Sequence, residues 1–245
     1  MTLRVVYTDL DGTMVGPRGC FFRDESGALT LEPARALLAL HEAGAALVLV
    51  SGRTRAQLLE SAAIFGADGF IAELGALIAW DGGRVSEPLP GVGEPASAEL
   101  VAALTATFSL RLYEPWHEGH EVDVLLRGSA DVGTVHTWLT ERGAGHLALR
   151  DNGVLPRTGE RVFHLLPAGV DKGTAVAWDL ARRGLDPADA LAVGDSTSDL
   201  EMARAVGTFA LVANGARHLD PPSGVQVTKG ALGLGWAEAL LGALG

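Results

Sequence analysis

Two carboxylates stand two residues apart in Asp9-Leu10-Asp11, after the apolar run Val5-Val6-Tyr7-Thr8 and before Gly12-Thr13. If that run is a strand, Asp9 closes it where ligands sit in open α/β sheets. Acids crowded at one point repel, and a hard divalent cation relieves them. A carboxylate can attack phosphorus and carry it as an aspartyl phosphate, while its neighbour moves protons. The first expectation is Mg²⁺-dependent phosphoryl transfer through Asp9, with Asp11 as acid and base. The same pair fits a turn or helix cap at a strand end, so the remaining chain has to decide.

Three further clusters carry related chemistry. Val50-Ser51-Gly52-Arg53-Thr54 ends a second apolar run, where a hydroxyl and exposed backbone N–H groups make a phosphate nest. An N-cap with a glycine turn is the commoner reading of these residues taken alone. Arg53 is placed either on substrate or on a nearby acid. Gly169-Val170-Asp171-Lys172-Gly173 precedes a helical stretch, and Lys172 there would neutralise a transferring phosphoryl group; a solvated surface lysine is the plain alternative. Val193-Gly194-Asp195-Ser196-Thr197-Ser198-Asp199 holds two acids four apart, fit for a metal shell or for capping a helix.

Taken in order, these four clusters resemble the four motifs of the haloacid dehalogenase-like (HAD) phosphohydrolases: DxDGT, a serine closing the second strand in an SGR form, a lysine followed by glycine, and GDxxND with Ser198 in place of the asparagine. The resemblance implies Asp9 as nucleophile and Asp11 as acid and base. It places Ser51, Gly52 and Lys172 on the phosphoryl oxygens, and Mg²⁺ on the Asp9 carboxylate, the Asp11 main-chain carbonyl and Asp195, with Asp199 joining the metal site. Asn214 resembles a phosphate-side asparagine of one branch; a turn residue is the other reading. Ala72-Glu73-Leu74-Gly75-Ala76 resembles an ENGA element with leucine for asparagine, and it leads into the C2-type cap of the Cof-like branch, which includes sucrose-phosphate and mannosyl-3-phosphoglycerate phosphatases. The dehalogenases of the superfamily lack the second acid, so that activity is discounted.

Strands must deliver these residues. Apolar runs at 3–8, 45–50, 69–72, 190–193 and 208–212 alternate with helical stretches near 30–44, 54–65, 172–183, 200–205 and 232–244. That alternation predicts a doubly wound (Rossmann-like) parallel sheet with right-handed crossovers. Residues 12–29 read as loop or small hairpin. From Asp81-Gly82-Gly83 the rhythm changes, with helices over 96–108 and 132–142 and strands near 110–114, 121–127, 146–150 and 161–165. We expect a discontinuous core, 1–80 and 167–245, with an inserted α+β cap over 81–166. Within the cap, Trp116, His117, His120, Arg150, Arg157, Arg161 and His164 are candidates for the leaving group.

The chain has 245 residues, 48% of them hydrophobic and 20% charged, which is ordinary for a globular protein. A net charge of −11 makes nucleic acid and anionic membranes poor partners. The single cysteine, Cys20, excludes an intrachain disulfide framework. Asp9 follows the first residue so closely that no leader is expected, and no apolar stretch has spanning length, so a cytoplasmic protein is expected. The expected partner is a small phosphate ester, by resemblance a sugar phosphate or phosphoglycerate. A phosphosugar mutase, a non-catalytic phosphate binder and a broad housekeeping phosphatase remain as alternatives; the oligomeric state is not read from the sequence.

Overall fold

The computed structural model describes residues 2–155 and 158–245. The first elements are β1 (Val5–Thr8), α1 (Glu32–Glu42), β2 (Ala46–Val50), α2 (Arg55–Phe65), β3 (Gly69–Ala72), β4 (Leu77–Trp80) and β5 (Val85–Pro88). Next come α3 (Ala98–Thr107), β6 (Ser109–Leu112), β7 (Val124–Ser129), α4 (Val132–Glu141), β8 (Leu147–Val154) and β9 (Arg161–Pro167). The chain finishes with α5 (Lys172–Arg183), β10 (Ala190–Gly194), α6 (Thr197–Leu200), β11 (Thr208–Leu211), α7 (Ala213–Ala216), β12 (Gln226–Val227) and α8 (Leu232–Leu244).

Strands β12-β11-β10-β1-β2-β3 form a parallel sheet, which β4 and β5 extend antiparallel at one edge. All four residues of β1 are fully buried. Side chains alternate along a strand, so burial of every residue means that both sheet faces are covered. On one face Phe21 joins Phe65 of α2 to Trp236 of α8, with ring centroids 5.0 and 6.2 Å away. From β1, Tyr7 donates to Asp179 of α5 at 2.8 Å. The doubly wound α/β expectation therefore describes the core.

Local chemistry sets the helix ends. Thr54 caps α2, accepting from Gln57 N while Gln57 reaches back to Thr54 N, and Gly66 closes the helix in the left-handed region. Asp171 caps α5 by accepting from Thr174 N at 2.7 Å.

The second sheet, β6-β7-β9-β8, is antiparallel throughout. Leu126, Phe163 and Leu165 from its strands pack with Val135 and Leu139 of α4 and Leu104 of α3 in an apolar cluster separate from the main core. This is the inserted α+β unit. β5 lies beyond residue 80 yet belongs to the large sheet.

Some elements differ from the sequence expectation. The helix expected over 200–205 starts at Thr197 and tightens to a 3₁₀ turn over Glu201–Arg204. The short α7 and β12 were not foreseen. The strand expected from Glu121 begins at Val124, because the amides of 121–123 bond elsewhere. β8 runs on to Val154 through a register shift after Asp151. Among the described residues no helix is long and apolar enough to cross a membrane.

Candidate active site

Asp9, Ser51 and Asp195 all follow the carboxyl ends of adjacent parallel strands, β1, β2 and β10. The chain after β1 continues to one side through β2, and β10 lies on the other. That reversal opens the crevice in which such sheets bind ligands. Asp9 N donates to Val193 O at 3.0 Å, tying the strand end to β10.

Lys172, the first residue of α5, is 2% exposed. Its ammonium donates to Asp9 Oδ1 at 2.9 Å, Asp199 Oδ1 at 2.6 Å and Val50 O at 3.4 Å. The other oxygen of Asp199 accepts from Asp195 N (3.0 Å), Ser196 N (2.9 Å) and Ser196 Oγ (2.6 Å). Both oxygens of Asp199 are thus engaged within the protein. The approach depends on Gly194, where a Cβ would lie 2.2 Å from Asp199 Cβ.

Asp195 accepts from Thr13 Oγ1 at 3.4 Å and from Asn214 Nδ2 at 3.2 Å. Asn214 also donates to Gly12 O (2.8 Å) and accepts from Leu232 N (2.8 Å), so its carboxamide is spent on holding three loops together. Gly12, at φ +89°, is required here: a Cβ would stand 2.3 Å from Asp195 Oδ2. Arg53 grips Asp11, donating from Nε to Oδ2 at 2.7 Å and from Nη2 to Oδ1 at 2.6 Å. Of the two placements open to Arg53 in the sequence, the structure takes the acid.

Ligand oxygens of Asp9, Asp195 and Asp199 lie within 4.8 Å of one another. Burial pushes the Asp9 carboxyl up to about 8, and the Asp199 and Asp195 charges add to that while Lys172 opposes it. Burial and Asp199 push Asp195 up to about 7. Burial works against the Lys172 charge, but the facing Asp199 and Asp9 carboxylates outweigh it and the ammonium is held above its ordinary value. One ammonium against three carboxylates leaves negative charge uncompensated. The donors are all hard oxygens, which fit a Mg²⁺ ion. Asp9 has one oxygen outside the Lys172 contact, and Asp195 accepts only at 3.4 and 3.2 Å, so these two are the freer for it; Asp199 is the brace of Lys172 and of the α6 start.

Asp9, Lys172 and Asp195 line a cleft of roughly 360 Å³ with Ser51, Gly52, Leu74, Ser198 and Asn152, and Asp199 is fully buried beneath it. It opens onto a second cleft of roughly 460 Å³ holding Arg150, Arg161 and His218, and Asn152 lines both. A larger groove, roughly 740 Å³, lies on the insert beside His117 and His120 and contains none of the strand-end residues. Chemistry, not size, locates the site.

The insert is fastened by Glu73. Its fully buried carboxylate accepts from Glu121 N (2.9 Å), Val122 N (2.9 Å) and Asp123 N (2.8 Å). Glu73 and Leu74 have φ +51° and +56°, uncommon for residues with a Cβ. Leu74, in the place of the expected asparagine, is 4% exposed and packs toward Gly52.

Of the leaving-group candidates, Arg150 and Arg161 line the second cleft, while Trp116 is exposed away from both. His117 and His120 stack on each other, centroids 5.8 Å apart. His164 is buried behind Asn152. Arg157 lies outside the described residues. The sequence reading missed Thr13, Glu73 as an anchor, and Asn152. Thr13 stood within the DGT signature, whereas Asn152 had no local signal beyond a turn-like Asp-Asn-Gly.

A family model described as haloacid dehalogenase-like hydrolase matches residues 148–222. The chain is 30% identical over 230 residues to a phosphoglycolate phosphatase of Metallosphaera sedula, with 92% of each chain covered. It is 27% identical over 240 residues to one of Methanothermobacter thermautotrophicus, with 97% of each covered. In fold it is similar to a Thermoplasma acidophilum protein (TM-score 0.73, 16% identity, 99% of each chain). It is also similar to the Synechocystis sucrose-phosphatase in complex with sucrose and phosphate (TM-score 0.69, 18% identity, 100% of this chain and 97% of that one).

Proposed function

For a chain that belongs to the haloacid dehalogenase-like hydrolases and is a phosphatase, we propose Mg²⁺-dependent hydrolysis of a small phosphate ester through an aspartyl phosphate on Asp9. The observation that carries this reading is the single buried ammonium of Lys172 facing three carboxylates in a cleft at the strand ends. Residues 1–80 and 167–245, with β5 at the sheet edge, act as the catalytic core, and the remaining insert as its cap.

The Asp9 oxygen not held by Lys172 attacks phosphorus, and the bond to the leaving oxygen breaks. Asp11 delivers its proton to that oxygen, so one of its Arg53 contacts must open first. Asp11 then takes a proton from water as the water oxygen attacks the phosphoryl group, releasing phosphate and restoring Asp9. Ser51 Oγ, backbone N–H groups near Gly52 and the Lys172 ammonium stabilise the transferring oxygens. Bound at Asp9, Asp195 and the Asp11 carbonyl, Mg²⁺ would neutralise charge as it develops on the phosphoryl oxygens. Asn214, assigned to phosphate by resemblance, is instead a positioning residue for Asp195.

The deciding experiment measures phosphate release from sugar phosphates, phosphoglycolate, phosphoglycerates and nucleotides, with Mg²⁺ and with EDTA, for wild type and Asp9→Asn. Mg²⁺-dependent release lost in the variant supports the reading. Isomerised sugar phosphate without free phosphate would replace it with a mutase.

A further inference from the structure

Asn152 belongs to the insert and lines both clefts. It sits where β8 shifts register between Asp151 and Val154, with Gly153 at φ +92°. Such bulges re-aim a side chain. The amide nitrogen of Asn152 lies 3.1 Å from His164 Nε2. An amide nitrogen can only donate, so Nε2 accepts and the ring proton is on Nδ1. Nδ1 lies 2.5 Å from Asp123 Oδ2, a buried carboxylate that takes that proton as an acceptor. The chain Asp123–His164–Asn152 therefore fixes the carboxamide with its nitrogen inward and its oxygen toward the open side.

The charges around the cleft point the same way. Among the described residues, four lysine and arginine side chains line the two clefts, and each is paired with an acid. Arg53 is held by Asp11, Lys172 by Asp9 and Asp199, Arg150 by Glu201 and Arg161 by Asp151. Among the described residues, a carboxylated leaving group would meet an amide oxygen and no unpaired lysine or arginine. A hydroxyl would meet an acceptor.

The geometry points to Asn152 as a specificity-determining residue whose carboxamide oxygen accepts from a hydroxyl of the leaving group, so that the substrate is the phosphate ester of a neutral polyol or sugar rather than of a hydroxy acid. This rests on the phosphatase reading and names its substrate class. His164 and Asp123 act through Asn152 as positioning residues.

The test compares kcat/KM for a set of sugar and glycerol phosphates, for phosphoglycolate, and for p-nitrophenyl phosphate, whose leaving group carries neither aliphatic hydroxyl nor carboxylate. Wild type is expected to prefer the best polyol phosphate to phosphoglycolate by tenfold or more. Asn152→Ala should lower the ratio of polyol phosphate to p-nitrophenyl phosphate by about tenfold, the scale of one hydrogen bond. His164→Leu, if folded by circular dichroism, should lower the same ratio, and His164→Gln, which keeps an acceptor for the amide, should restore it. Preference for phosphoglycolate over every polyol ester overturns the inference, as does an unchanged ratio in Asn152→Ala; if Asp9→Asn still abolishes turnover, the phosphatase reading stands. No turnover of any ester by folded wild type overturns both.

Discussion

Arg53 and Asp11 face each other as a fork on a fork, with two hydrogen bonds of 2.7 and 2.6 Å across the mouth of the cleft. Bidentate pairing of this kind fixes direction as well as charge. It aims a carboxylate whose side chain is otherwise 55% exposed. Arg53→Ala should therefore lower kcat/KM by roughly ten- to a hundredfold through misplacement of Asp11. Arg53→Lys, a point charge without the fork, should recover little of it. Steady-state kinetics on the best substrate checks both, and wild-type kcat/KM in Arg53→Ala would remove the aiming role.

Asp9→Asn should reduce turnover by a factor on the order of 10⁴ or more, as loss of a nucleophile does. Asp11→Asn removes only the proton carrier and should cost about 10²- to 10⁴-fold. Mass spectrometry of quenched Asp11→Asn should find phosphate on Asp9. If label accumulates elsewhere in the chain, Asp9 is not the nucleophile.

Mg²⁺ should raise the thermal midpoint, because a ligand that binds only the folded state stabilises it. Asp195→Asn should abolish that rise. Asp199→Asn should keep part of it, since both Asp199 oxygens serve Lys172 and the α6 start. Differential scanning fluorimetry at several Mg²⁺ concentrations separates the two. An equal loss in both variants would make Asp199 a ligand as well.

Glu73→Ala should cost about 3 kcal/mol or more, since three backbone donors, two of them buried, lose their acceptor. The nearby pair Arg55–Glu121 bridges the same two units, but its side chains are 41% and 46% exposed. Arg55→Ala should stay within about 1 kcal/mol. Urea unfolding of the two variants side by side is the measurement; comparable losses would deny Glu73 its role as anchor.

His120 supplies the pH dependence of that anchor. Its Nδ1 lies 3.3 Å from Asp123 Oδ2 and 3.8 Å from Glu73 Oε2, His117 stacks on its ring, and His164 faces it across Asp123. Burial opposes its charge, but the adjacent Asp123 and Glu73 carboxylates outweigh this and hold it above the ordinary 6.5. A histidine raised in the folded state contributes stability in full below 6.5, and that stability is lost as pH rises through the higher folded value. The stability gap between wild type and His120→Gln should thus be widest near pH 5.5 and shrink above neutrality. A gap that widens with pH would reverse the assignment.

That Asp9, Ser51, Lys172 and Asp195 meet in one cleft was legible in the sequence because each residue ends a strand or opens a helix, and such positions follow from local patterns. Asp199 was only half legible. Two acids four apart suit a metal or a helix start alike, and the choice depends on where Lys172 arrives from 27 residues earlier. The tie of Asn214 to Asp195 was not legible for the same reason, its partners being 18, 19 and 202 residues away. The late start of β7 follows from Glu73 taking amides 48 to 50 residues further on. No periodicity encodes such a contact.

Glu73 holds main-chain amides, and amides are common to every residue but proline. The three hydrogen bonds that Glu73 accepts are therefore indifferent to side-chain identity at 121–123. Because the insert also closes an apolar cluster of its own, its cleft-facing strands can drift in sequence without loosening their seat on the sheet. The arrangement makes β8 and β9 an exchangeable reading head on a fixed mount. A lineage could change the alcohol it recognises by substitutions around Asn152 and leave the phosphate chemistry untouched. A proline at 122 or 123 is the change that this tolerance would not absorb.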